Sequence, residues 1–396
     1  MMTLGDFLQV EKENRSLVYR IYYIFLASGL MNTLFGTLMP FLGEEYGLSY
    51  SVRGMLLSCL QTGNLLAIFL SGIMPYLIGR KKNTVLFTLL MTAGNVMVIL
   101  TGNPVFLALS FAFVGIGRGT LANITNVVVS ADTGNRTAGL NLLHASFAIG
   151  AVSAPVLLVI TLGTGWRLSA AVSALVMLLA VVLIGFSRME SEPQPRKKEK
   201  GGTVPVSMRF WLCVLILFFY IALENALVGW LVTYFIDAGV FPEAFAASMQ
   251  ALLWVMILIG RLACAAISSK VNKDRLVLLL GFCLTGFFLL MIIPESPVLI
   301  IIGVLGVGLS MSGIYPTTIA TLDPKFSGST IGMALLLGTA TFGGVMISPV
   351  IGMISEHAGI KGGIAFIFVV IVLMFAAIVP KIVLDERAGK AKKLGR

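Results

Sequence analysis

From residue 18 to residue 384 the chain is a succession of apolar runs, each of about twenty residues, broken only by short charged or turn-forming stretches. That length is a physical constraint. An α-helix rises about 1.5 Å per residue, so roughly twenty residues cross the ~30 Å hydrocarbon core of a bilayer. Twelve runs are legible, at residues 18–42, 52–77, 84–101, 105–130, 137–162, 168–187, 209–236, 244–268, 275–293, 297–321, 328–355 and 362–384. Inside hydrocarbon every backbone N–H and C=O must be bonded within the chain, which leaves helices or a closed barrel. Barrel strands are about ten residues long and alternate in polarity; these runs do neither. The sequence therefore predicts an all-α integral membrane protein of 12 transmembrane helices. With 58% apolar and 12% charged residues, against roughly 45–50% and 25% in soluble domains, its outer surface must meet lipid too.

A net charge of +10 would suit a nucleic-acid binder, but its distribution says otherwise. Of the 28 Lys and Arg, 23 fall at the termini and in every second connection; only Arg53, Arg167 and Lys361 fall in the others. This is the positive-inside pattern, and it places both termini in the cytoplasm. The reading is a multi-pass protein of a plasma membrane such as a bacterial inner membrane, partnered by the lipid bilayer and by no nucleic acid. Two His and four Cys, the latter all within runs, make no disulfide, zinc or catalytic pattern. Gly115-Ile116-Gly117-Arg118-Gly119 follows no strand and belongs to no phosphate-binding motif. No enzyme activity, cofactor or metal is expected, and the protein is expected to be a monomer.

One hydrophilic interruption, 188–208, divides the runs six and six. The expected organisation is an N-terminal six-helix bundle (1–187), a cytoplasmic linker (188–208) and a C-terminal six-helix bundle with a short basic tail (209–396). A shift of 194 residues sets Gly119 on Gly313, Gly150 on Gly344 and Pro155 on Pro349. A shift of 193 sets Asn32 and Gly36 on Asn225 and Gly229, and Arg80 and Lys82 on Lys273 and Arg275. A nearly constant offset over four helix pairs argues for internal duplication, both halves entering the membrane in the same direction.

The loop after the second run reads Gly72-Ile-Met-Pro-Tyr76-Leu77-Ile-Gly79-Arg80-Lys81. It resembles the Gly-x-x-x-Asp-Arg-x-Gly-Arg-Lys signature of the major facilitator superfamily, with Tyr76 and Leu77 in place of the two charges that latch cytoplasmic helix ends in that family. The resemblance extends over essentially the whole chain. It implies the two-bundle major facilitator fold and a gating role for Gly72, Gly79, Arg80 and Lys81. Leu223-Glu224-Asn225-x-x-x-Gly229-Trp230-x-x-x-Tyr234, Gly308 to Tyr315-Pro316, and Gly343-Gly344-x-x-x-x-Pro349-x-x-Gly352 are similar to stretches of the fucose/hexose–proton symporter branch.

An ionisable side chain costs roughly 2.5–3.5 kcal/mol in hydrocarbon, so each one there calls for a reason. Glu224 and Arg118 lie about halfway along their runs. Burial disfavours a charged carboxylate and a nearby cation favours it, so a site that alternates between the two couples protonation to conformation. Glu224 is the expected proton carrier, with Arg118 and His144 as further coupling candidates; a fixed Glu224–Arg118 pair is the structural alternative. At 100° per residue, Arg118, Gly115, Gly119, Asn123 and Asn126 share one sector of the fourth run, facing a cavity or packing a neighbour. Asn141, His144, Ala148 and Ala151 share another on the fifth. With Asn32, Gln61 and Asn225, these amides suit a hydroxylated solute, and Tyr220, Trp230, Trp254 and Tyr315 could stack on it or simply fill space. Arg261, near the cytoplasmic end of the eighth run, is expected to snorkel to the interface and serve gating. The combined expectation is a secondary active transporter working by alternating access, taking up a sugar or similar small polar solute with protons. A proton-driven exporter, favoured by Gly150-x-x-x-Ala154-Pro155, and a non-transporting sensor or lipid-flipping protein are the alternatives.

Overall fold

The computed structural model describes residues 3–189, 207–267, 271–322 and 330–394. Most of the 188–208 linker therefore lies outside the described residues. Every regular element among those described is a helix: α1 (Leu4–Phe7), α2 (Arg15–Thr37), α3 (Met39–Glu45), α4 (Tyr50–Ile78), α5 (Arg80–Leu100), α6 (Pro104–Asp132), α7 (Arg136–Thr161), α8 (Trp166–Gly185), α9 (Met208–Asp237), α10 (Glu243–Ile267), α11 (Lys273–Ile292), α12 (Pro297–Met311), α13 (Ile314–Ile319), α14 (Thr330–Ala365) and α15 (Ile367–Leu394). Eleven spans are long and apolar enough to cross a membrane, and the pair α2 and α3, bent by 45°, makes a twelfth. The bend falls just ahead of Pro40, which has no N–H to continue the helical ladder. The tenth span is likewise broken, between α12 and α13 at Ser312-Gly313. Helical geometry in α14 is interrupted at Gly359, whose φ of 72° is one that side chains rarely adopt.

The helices form two compact units, Met1–Lys197 with Glu243–Ala251, and Lys198–Pro242 with Leu252–Arg396. Both units are packed in the same order. In the first, α2 lies on α7, α4 on α6 and α5 on α6 and α8; in the second, α9 lies on α14 and α11 on α12 and α15. The duplication read from offset residues is thus repeated in helix partners. Small residues set the closest approaches, as expected where lipid provides no hydrophobic drive for helix association. A Cβ on Gly150 would overlap the Leu26 carbonyl of α2, and one on Gly115 would overlap the Leu60 carbonyl of α4. In the second unit a Cβ on Gly343 would overlap the Phe218 carbonyl of α9, and one on Gly344 would lie 2.7 Å from the Asn225 amide nitrogen.

Two polar features fix helix ends. In front of α2, Thr3 caps α1 with its hydroxyl and backbone N–H on the Asp6 carboxylate at 2.6 and 2.9 Å, and Arg15 reaches the same group at 2.5 Å. The Thr3 bonds, then Arg15, pull the Asp6 carboxyl down to about 2. In the second unit Lys381 is only 3% exposed. Its ammonium donates to Asp274 at 2.5 Å and Asp385 at 2.8 Å, while Arg209 bonds Asp385 at 3.2 Å. The cluster ties α9, α11 and α15 together.

Two stability outcomes follow. Gly115→Val forces α4 and α6 apart and should cost about 1–3 kcal/mol, whereas Gly286→Val, with nothing within 4 Å of the added carbon, should melt like wild type in detergent. Lys381→Met leaves Asp274 without its cation and Asp385 with Arg209 alone; partly hydrated as the carboxylates are, the loss should still be about 1–3 kcal/mol, against no change for Lys361→Met.

Candidate functional site

Within the second unit, α9 places Tyr220 and Glu224 one turn apart on the same face. The Tyr220 hydroxyl donates to Glu224 Oε1 at 3.4 Å, and the Arg261 guanidinium of α10 stands 3.6 Å from the same oxygen. Tyr315, on α13, joins them, its ring centroid 5.9 Å from that of Tyr220. Tyr220 is 1% exposed, and the Glu224 and Arg261 side chains are 18% and 36% exposed. At 3.6 Å the ion pair is an attraction without a formed hydrogen bond. Such a contact parts with little motion, because no short bond between the two side chains has to be lost.

This geometry corrects the reading of Arg261. Its place near one end of the eighth span suggested an interfacial anchor; it reaches Glu224 instead. The long arginine side chain spans the distance that separates backbone position from head-group position. Asn225, next to Glu224, donates back to the Ile221 carbonyl of its own helix at 2.8 Å. Trp230 and Trp254 are 0% and 5% exposed and pack the interior of the unit.

In the first unit Arg118, at the middle of α6, lies over the Phe147 ring of α7 at 5.8 Å. Phe147 packs on Phe25 at 5.0 Å, and His144 meets Phe25 edge-on at 5.8 Å. An aromatic bridge of α2 and α7 thus joins the two coupling candidates of this unit. Sequence reasoning did not single out Phe25 or Phe147, because aromatic residues are too common in membrane spans to mark a site.

The polar sector of α6 resolves towards packing. Gly115 rests on Leu60, Gly119 on Asn64 and Ala67, and Asn123 donates to Ser71 at 2.8 Å, all residues of α4. Asn126 bonds back to the Ala122 carbonyl at 2.7 Å. The shared sector expected on α7 divides as well: Asn141 and His144 are exposed, whereas Ala148 and Ala151 are buried at 3% and 0%. One stripe thus changes surroundings along the length of the helix, although α2 is in contact from the first turn, where Tyr22 donates to the Gly139 carbonyl at 3.2 Å. Asn32 is half-buried with its carbonyl oxygen unbonded among the described residues, and Gln61 is buried.

In the loop between α4 and α5, Gly79 ends one helix and starts the next at a φ of 81°. Lys81 donates to the Ser187 carbonyl beyond α8 at 2.9 Å. Gly72 is exposed, with open space around it, and Arg80 is half-buried. Among the described residues no group of three or more His, Cys, Asp or Glu could hold a metal ion.

The sequence model of the Major Facilitator Superfamily matches residues 21–340. The chain belongs to that superfamily. The glucose/mannose transporter GlcP of Bacillus subtilis is 23% identical to it over 356 residues, 84% of this chain and 86% of the relative. Sodium-dependent glucose transporter 1A of Mus musculus is 21% identical over 379 residues, 85% and 89% of the two chains. Among solved structures, a D-xylose-proton symporter superimposes with a TM-score of 0.74 at 14% identity, covering 94% of this chain and 97% of that one. The nucleoside transporter NupG does so with a TM-score of 0.72 at 13% identity, covering 92% and 98%. This major facilitator is a multi-pass membrane transporter and not an enzyme.

Proposed function

We propose that this major facilitator takes up a small polar solute, a sugar in class, together with a proton, with both termini in the cytoplasm. The observation that carries the reading is the Glu224–Arg261–Tyr220 cluster, an ionisable carboxylate inside a span with one loose cationic partner. A proton on Glu224 cancels the attraction to Arg261 and frees the guanidinium, so proton load and helix position become linked. The hydroxyls of Tyr220 and Tyr315 give this face groups that can bond a hydroxylated solute, and the glucose and xylose transporters among its relatives and structural neighbours support the same class. The Gly150-x-x-x-Ala154-Pro155 stretch, on which the export alternative rests, has a packing role as well. Gly150 lies against α2 and Ala154 is fully buried, so its small residues serve helix packing.

The test is a thermal-shift screen of hexoses, pentoses and nucleosides, followed by uptake of the best binder into liposomes under an imposed pH gradient. A ligand at 100 times its Kd stabilises the folded state by about 2.7 kcal/mol, so weak binders register at millimolar concentration. Glu224→Gln should abolish uptake against a gradient and retain solute exchange. Concentrative uptake that survives that substitution, or that ignores the pH gradient, overturns the proton assignment; stabilisation by nucleosides alone overturns the sugar assignment.

A further inference from the structure

A groove of about 520 Å³ opens on the first unit where the start of α2 meets the end of α8, lined by Lys12, Arg15, Tyr19, Arg20, Tyr23 and Leu183. Arg118 is not among the residues that line it. Tyr19, Arg20 and Tyr23 recur at helical spacing and so share one face of α2. The seam behind them is closed by two bonds: Tyr23 donates to the Val176 carbonyl at 3.0 Å and Arg20 to the Leu183 carbonyl at 2.7 Å. Asp6 neutralises Arg15 at 2.5 Å. Two cations remain. Among the described residues Lys12, which is exposed, makes no bond, and Arg20 has only one of its nitrogens bonded. Glu11 and Glu13, which flank Lys12, do not line the groove.

The surroundings are as telling as the charge. On α8, beside Leu183, Leu175, Leu179, Val182 and Phe186 form an unbroken stripe along the helix, 64%, 48%, 47% and 81% exposed. A ligand with an anionic, hydrogen-bonding head and an apolar tail matches both parts at once: the head between Lys12 and Arg20, the tail along α8. Tyrosines at the junction suit the interface, where an aromatic ring sits in the apolar layer and its hydroxyl in the polar one. Basic pockets at span ends are where anionic head groups are held.

We infer that this groove binds the head group of an anionic phospholipid in the leaflet on the side of the chain termini. Bound there, the lipid bridges α2 and α8 and reinforces the packing of the first unit. The inference is independent of which solute is carried.

The experiment is native mass spectrometry of the full-length protein after exchange into defined detergent–lipid mixtures, with dioleoylphosphatidylglycerol and dioleoylphosphatidylcholine as probes. Wild type should retain phosphatidylglycerol in clear excess. Lys12→Gln should reduce that excess about five-fold, and Lys12→Gln/Arg20→Gln should remove it, each charge contributing a similar factor. The charge-matched Lys273→Gln/Arg275→Gln should behave like wild type. Lys12 makes no bond among the described residues, so its substitution tests the site without threatening the fold. Equal retention of the two lipids, an unchanged excess in Lys12→Gln, or full displacement of phosphatidylglycerol by millimolar inorganic phosphate would each overturn the inference, the last by showing a site for free phosphate.

Discussion

Contact between helix backbones is what the rest of this protein is built on. In a bilayer an apolar side chain gains little by leaving lipid for another helix, so association depends on dispersion and on how near two helices can come. Here the nearest approaches are made where a helix offers a glycine to a neighbouring carbonyl: Gly150 to Leu26, Gly115 to Leu60 and Gly343 to Phe218. Each removes a side chain from the seam and leaves no room for a methyl group. The same few contacts recur in both units, which is how a duplicated sequence yields two units packed in one order.

Charge is the second constraint, and two ion clusters of the second unit answer it differently. Lys381 sits between Asp274 and Asp385 at 2.5 and 2.8 Å and binds three helices of one unit at their ends. Its bonds are short and its surroundings fixed, as befits a structural tie. Glu224 and Arg261 stand 3.6 Å apart, with a tyrosine hydroxyl at 3.4 Å completing the contact. The looser contact is the one we propose to open and close during transport. In the first unit Arg118 rests against an aromatic ring, Phe147, a contact that stabilises a cation.

Much of the site was legible in advance and part of it was not. Glu224 declared itself because a carboxylate inside an apolar run has no cheap explanation. Its partner did not: Arg261 lies on a different helix, and the reach of a long side chain is not written in spacing. The Gly115, Gly119 and Asn123 row was visible as one face of α6, yet the face turned out to meet α4. Helical period tells which residues share a side and is silent on what that side touches. For His144 and Ala148 even that was insufficient, because one stripe passes from exposed to packed along the length of α7.

By itself the sequence determined the solvent, the number and kind of spans and the duplication. Those follow from rules that act locally along the chain, namely backbone bonding in hydrocarbon and the length needed to cross it. Only the tertiary structure decided that Arg261 stands beside Glu224, that Lys381 is buried, and that the small residues of α6 form a seam. In a membrane protein, lipid-facing and core-facing surfaces are both apolar. The contrast that marks the inside of a soluble protein is absent, and which faces meet emerges only when the helices are assembled.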